Sequence, residues 1–347
     1  MSARNFALWL AGGLFAAALA GGSAAAQDVA SFYKGRQVTI LIGTAPGGGY
    51  DLYARLIGRY LQKHIPGNPS IVVSNMPGAN SDIAADHVYF TAPKDGTWIA
   101  AIESSAVDES LFGSTPVKHD PSKFQYLGSA NNDVYVCAAR SDSPVHSFAD
   151  VLTTEVVTGG SAADASENTF AVILNNVLGA KFKMVLGYPG TRDISLAMNK
   201  NEVAAVCGVA WPSFSVTNPG WFENGIVKVL VQTHPTGHPD LNKAGVPLAT
   251  DFAKTPEQKA ILDLYFTQTV FGRPYVVAPE VPKDRVAALR QAFADTLRDP
   301  ELVAEAEKMK LEVNQVSGEE VQSLVAKMFA SPPDLIAKTK AAIMPKQ

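Results

Sequence analysis

Cysteine is scarce: Cys137 and Cys207 are the only two in 347 residues. Two cysteines exclude a disulfide-stapled small scaffold and any four-thiolate zinc site. Histidine offers no substitute. His234 and His238 are four apart, but Pro235, Gly237 and Pro239 exclude the helix that would align them on a metal. The motifs G-x-S-x-G, H-E-x-x-H and C-x-x-C are all missing, so no compact catalytic or redox signature is present. Charged residues make up only 18% of the chain and the formal net charge is -4. With no basic face or run, nucleic acid is excluded as a partner. Membrane-spanning length is missing as well. Phe6 to Ala20 are almost wholly apolar or small, but that run is too short and its flanks too weak for a spanning helix. Arg4 before it and Ala24, Ala25 and Ala26 after it make residues 1–26 a secretory signal peptide, cleaved after Ala26. No cysteine follows the run to carry a lipid. The expected mature chain is exported to the periplasm. In that oxidising compartment Cys137 and Cys207 either pair or stay as buried thiols acting as small hydrophobes.

What is present is an alternation of strands and helices. Val38–Ile42 is a continuous apolar, β-branched run, expected of a strand covered on both faces. A glycine turn follows, and then Leu52, Leu56, Tyr60 and Leu61 recur at helical spacing. Ile71–Val73, Trp98–Ile102, Val134–Ala138, Glu155–Thr158, Lys183–Leu186, Val203–Cys207 and Ile226–Val231 continue the strands. Helical patterns occupy Ser81–Phe90, Asn168–Leu178 and Ile194–Lys200. Alternation of this kind predicts mostly parallel sheets flanked by helices. From Asp284 onward the chain is helical, with Asp299-Pro300 as a helix start and Ser317 to Glu320 as a capping box.

The candidate site residues lie in strand-to-helix turns. Thr44 leads into Gly47, Gly48, Gly49, Tyr50 and Asp51, between a buried strand and an amphipathic helix. Glycines let backbone amides approach a ligand, and the helix start adds unpaired N–H groups and partial positive charge. That is an anion site. A phosphate loop needs a Lys and a Ser or Thr beside its glycines, and a dinucleotide fingerprint needs G-x-G-x-x-G. Neither occurs here, so the expected anion is a carboxylate and no cofactor is expected. Similar turns hold Ser104 and Ser105; Ser161, Ala162, Asp164 and Ser166; and Tyr188, Gly190 and Thr191, with Arg192 as a possible carboxylate clamp. Trp211 follows another strand and either walls the cleft or belongs to the core. In open α/β sheets ligands bind beyond the carboxyl ends of strands, so these turns predict one cleft. A scattered catalytic set would have to draw on Asp164, Glu167 and Tyr188, and the chain is read as a binding protein, not an enzyme.

Several stretches together resemble the substrate-binding receptors of the tripartite tricarboxylate transporter (Bug) family. They are the strand followed by Pro46–Asp51 and Arg55; Asn75–Ala79; Ala92–Thr97; Gly187–Thr191; and a tail running through Ala278–Pro282, Arg298–Pro300 and Ser317–Glu320. Phe32–Gly35 and His64–Pro69 are similar to one branch of it. The resemblance implies a two-lobe, type II periplasmic-binding-protein fold with a ligand cleft between the lobes. Lobe 1 would hold residues 27–130 and 234–347, and lobe 2 residues 131–233. It implies capture of a small organic carboxylate by a monomer and delivery to membrane permease subunits, with sensing through a membrane signalling protein as the alternative. It also sets the strand carrying Cys137 beside the one carrying Cys207, a geometry that suits a bridge. Two departures from the family stand out: Asn80 and Ser81 where it often has glycines, and the acidic turn with Asp164 and Glu167. The acids favour a ligand with an amino group or a single carboxylate.

Overall fold

The computed structural model describes residues 29–113, 117–163 and 165–344. The expected signal peptide and Asp164 lie outside the described residues. Eleven strands form two sheets among the described residues. The first sheet contains β1 (Gln37–Ile42), β2 (Ser70–Asn75), β3 (Trp98–Ala101), β4 (Gln125–Ser129), β10 (Pro274–Val277) and β11 (Val316–Ser317), in the order β11-β4-β10-β3-β1-β2. The second contains β5 (Tyr135–Arg140), β6 (Val156–Gly159), β7 (Phe182–Val185), β8 (Ala205–Ala210) and β9 (Val227–Thr233), in the order β7-β6-β8-β5-β9.

Both sheets are mixed, not mostly parallel as the alternation predicted. β2, β1 and β3 run parallel, but β10 enters antiparallel between β3 and β4. β6, β7 and β8 run parallel, but β5 lies antiparallel to β8 and β9. Of the antiparallel strands, β5 and β10 adjoin a crossing between sheets, and the two-residue β11 pairs antiparallel with β4 at the edge. A chain arriving from the other sheet needs no helical crossover, so nothing forces it to run parallel.

Strand composition matches position. In β1 every residue after Gln37 is buried, as two covered faces require. β2, at the edge, alternates exposed and half-buried residues. The helices that matter for the site are α1 (Gly49–Leu61), α2 (Ser105–Phe112), α3 (Ser166–Leu178), α4 (Thr191–Asn199), α5 (Trp211–Thr217), α6 (Pro256–Val270), α7 (Lys283–Leu297), α8 (Pro300–Met309), α9 (Gly318–Phe329) and α10 (Pro333–Ala342). α1 buries Tyr53, Leu56, Ile57 and Leu61 on one face. Thr255 and Gln258 cap α6 reciprocally. At α9, Ser317 Oγ accepts the Glu320 N–H at 3.2 Å, the half of the expected box that forms. The helix expected over Ser81–Phe90 is broken into Asp82–Asp86 and a wider π turn, His87–Thr91.

Each sheet has its own core, and a further apolar cluster runs through both. Phe112 of α2 meets Tyr265 of α6 at 6.1 Å, and Tyr265 meets Phe170 of α3 at 5.3 Å. The stretch after β9 was assigned from sequence to the returning half of lobe 1, yet it begins on the second sheet. The Gln232 N–H bonds Pro247 O, and Leu241 is buried in that sheet's core. Among the described residues no helix is long and apolar enough to cross a membrane.

Candidate functional site

The two sheets point matching edges at each other. In the first, β1, β2, β3 and β4 all end at the edge where β10 begins. In the second, β6, β7, β8 and β9 end where β5 begins. The chain leaves β4 at Ser129 and enters β5 at Tyr135, so one short crossover joins the two edges. A second crossover returns from α6 through Gly272 and Arg273 into β10. The two lie side by side: the Asp133 N–H bonds Thr269 O at 2.9 Å and the Ala130 N–H bonds Arg273 O at 3.1 Å. The predicted turns after β1, β3, β6, β7 and β8 therefore lie on the crossover edge, or rim, of their own sheet.

On the first rim the glycine turn is held from beneath. Gly47 has φ +87°, a conformation that favours glycine, and donates its N–H to Asp51 Oδ2 at 2.9 Å. Asp51 is 3% exposed and also takes Arg55 Nε at 3.0 Å and Asn75 Nδ2 at 2.9 Å. The Arg55 hydrogen bond, opposed by burial and helped by Gly47 and Asn75, lowers the Asp51 carboxyl to about 2. Asp51 is thus spent inside the protein and shapes the loop that a ligand meets. Gly48 caps α1 without a side-chain bond, which leaves the first amides of the helix open to a ligand. A Cβ on Gly49 would come within 3.1 Å of Arg273 Nη1, so glycine there admits the arginine. Tyr50 turns inward, and its hydroxyl donates to Gly272 O at 2.7 Å.

Arg273 and Glu103 were not among the residues singled out from sequence. Arg273 is 7% exposed and lies against the Tyr50 and Tyr53 rings, at 4.9 and 4.4 Å. Its Nη2 is 3.6 Å from Asp133 Oδ2 on the other crossover, and its Nε has no hydrogen-bond partner. Burial opposes its charge, but Asp133 and the surrounding tyrosines hold it protonated. Glu103 ends the β3 turn just before Ser104. Burial raises its carboxyl, while Ser81 and Arg273 pull the other way. Ser81 Oγ accepts the Glu103 N–H at 3.1 Å. Ala79, Asn80 and Ser81 all have positive φ, so the turn where the family often carries glycines adopts a glycine-favouring backbone here without them. Thr44 Oγ1 is buried and unpartnered beside this turn; Ser104 is buried and Ser105 half-buried at the start of α2.

On the second rim the predicted residues serve different ends. Ser161 and Thr191 both donate to Glu167, at 3.1 and 2.7 Å. Ser166 opens α3, and Gly190 opens α4 with extended backbone and open space where a Cβ would go. Tyr188 is half-buried against the second sheet's core, and Ala162 is exposed. Arg192 is exposed and makes no hydrogen bond or ion pair among the described residues. Trp211 is 6% exposed and packs on Phe222 and His238, which makes it core. Cys137 and Cys207 are joined as a disulfide between the adjacent strands β5 and β8.

No protein-family model and no curated protein matches the chain. Solved structures do. A TctC solute-binding protein from Polaromonas superposes with TM-score 0.69 at 19% identity, over 88% of this chain and 99% of that one. An R. palustris protein solved with adipate gives 0.61 at 21% identity, over 88% and 97%. MatC from Rhodopseudomonas palustris with bound malate gives 0.59 at 18% identity, over 89% and 99%. This chain has the two-lobed fold of those solute-binding proteins.

Proposed function

We propose that the protein is a periplasmic receptor that closes two lobes on a small organic carboxylate and presents it to the membrane subunits of a tripartite transporter. The observation that carries this reading is the pinned turn Gly47–Gly49. Asp51 pins it from beneath, α1 begins at Gly49 with no side-chain cap on its amides, and Gly49 lies against the buried guanidinium of Arg273. Amides at a helix start and a guanidinium are two forms of anion recognition, converging on one side of one cleft. The relatives solved with adipate and malate hold carboxylates in the same fold. A ligand bridging both rims favours the closed form, because only that form makes both sets of contacts. No bond in the ligand is made or broken.

Thermal unfolding of residues 27–347 against a panel of small acids tests the reading. Ligand at about 100 times its Kd adds about 2.7 kcal/mol of stability. A clear upward shift with one class of carboxylate supports the receptor. Absence of any shift, with mass spectrometry of the denatured protein showing no co-purified acid, removes it.

A further inference from the structure

Two of the hydroxyls expected to meet a ligand on lobe 2, those of Ser161 and Thr191, are already engaged. Glu167, 9% exposed in the first turn of α3, accepts Ser161 Oγ–H on Oε2 and Thr191 Oγ1–H on Oε1. Ser161 follows β6 and Thr191 follows β7, so two turns converge on one carboxylate. Two hydroxyl donors from separate turns form a carboxylate subsite, and the carboxylate filling it belongs to the protein. Among the described residues no Lys, Arg or His pairs with Glu167. The subsite also lies close to the crossovers. Phe170, one turn along α3 from Glu167, stacks on the Tyr135 ring at 4.9 Å, where β5 leaves the Asp133 crossover.

The two rims differ in their charged groups. Lobe 1 has the first amides of α1 and the buried Arg273 guanidinium, with Glu103 beside it; lobe 2 has the Glu167 carboxylate, with no cation on it among the described residues. A second ligand carboxylate beside Glu167 is repelled, and an ammonium there is attracted. We propose that the ligand is a monocarboxylate carrying an ammonium at its far end: the acid binds lobe 1 and the ammonium binds Glu167. This rests on the receptor reading above and narrows it from carboxylates in general to amine-bearing monoacids.

The test compares the wild-type chain with Glu167→Gln, which keeps an acceptor oxygen and the side-chain size. The probes are succinate, 4-aminobutyrate and 4-hydroxybutyrate, with their five-carbon counterparts, which within each set differ only at the far end. Binding is read by calorimetric titration and by thermal shift. The expected result is that an amino acid binds the wild type at least tenfold more tightly than the matching diacid, and that Glu167→Gln removes or reverses that preference. A diacid that binds both proteins equally well overturns the proposal and leaves the receptor reading standing. A hydroxy acid that outbinds the amino acid overturns the ammonium assignment, since a neutral donor then suffices. If no carboxylate of any kind binds either protein, both this proposal and the receptor reading fall.

Discussion

Glycine at positions 47, 48 and 49 answers three separate demands. Gly47 supplies a positive φ, and Gly49 leaves room for Arg273. Gly48 needs neither: its φ is -81° and a Cβ there would meet only Ala45 O, at 3.8 Å. A side chain at 48 is therefore compatible with the fold, yet it stands over the open amides of α1. Gly48→Leu is expected to abolish acid binding while circular dichroism and melting temperature stay near wild type. Asp51 supports the same turn and has a pH signature. Its folded carboxyl lies near 2, below the ordinary 3.8, so its contribution is full above pH 4 and is lost as pH falls through 2. The difference amounts to about 2 kcal/mol. Urea unfolding from pH 5 to pH 2 is expected to show that loss in the wild type and a flatter profile in Asp51→Asn. Much of this was legible in the residue string, because the glycines, Asp51 and the helix that follows are contiguous. Arg273 was not. It enters the site because β10 inserts antiparallel beside β3, and no local pattern announces the pairing of Tyr275 with Ala101, so distant in the chain. Glu103 was missed for a related reason: beside Ser104 it reads as an ordinary loop acid until Ser81, from another turn, closes on it.

Strands and helices were placed more faithfully than the way they pair. The β-branched runs and the helix starts at Asp299-Pro300 and Ser317 mark their own elements, since strand burial and capping are local. Sheet direction is a property of two elements at once, and the antiparallel strands next to the crossovers carry no sign of it in their residues. The β5–β8 pair carries the disulfide, which closes a sequence separation of 70 residues. Loop entropy gives such a bridge about 4 kcal/mol of stability, and Cys137→Ser is expected to lower the unfolding free energy by that order. Alkylation in denaturant should modify neither cysteine until a reductant is added; a free thiol count of two removes the bridge. In α2, Asp108 is buried with both carboxyl oxygens unpartnered, and burial raises it well above its ordinary range. The folded chain holds a proton there that the unfolded chain releases above pH 4, so stability falls as pH rises toward neutrality. Asp108→Asn is expected to raise the melting temperature at pH 7 and to leave it unchanged at pH 3.

For the whole molecule, two crossovers and a shared apolar cluster join the lobes. A further contact joins them through Glu312 and His238. Glu312, in the loop after α8, lies 3.6 Å from His238 Nε2 of lobe 2, while its backbone oxygen accepts the Tyr53 hydroxyl at 2.5 Å. His238 Nδ1 accepts the Asp240 N–H. Such a pair contributes up to about 1 kcal/mol, so Glu312→Ala is expected to lower the unfolding free energy in urea by no more than that. None of this cross-lobe geometry was legible in the sequence, where Glu312 and His238 belong to unrelated segments.

The central claim is that a carboxylate is held between the lobes at the glycine turn. Calorimetric titration of residues 27–347 with small acids, run beside Gly48→Leu, tests it most directly. One site per chain for an acid, lost in Gly48→Leu at unchanged melting temperature, agrees with the claim. Equal heats from both proteins would place the ligand elsewhere and contradict it.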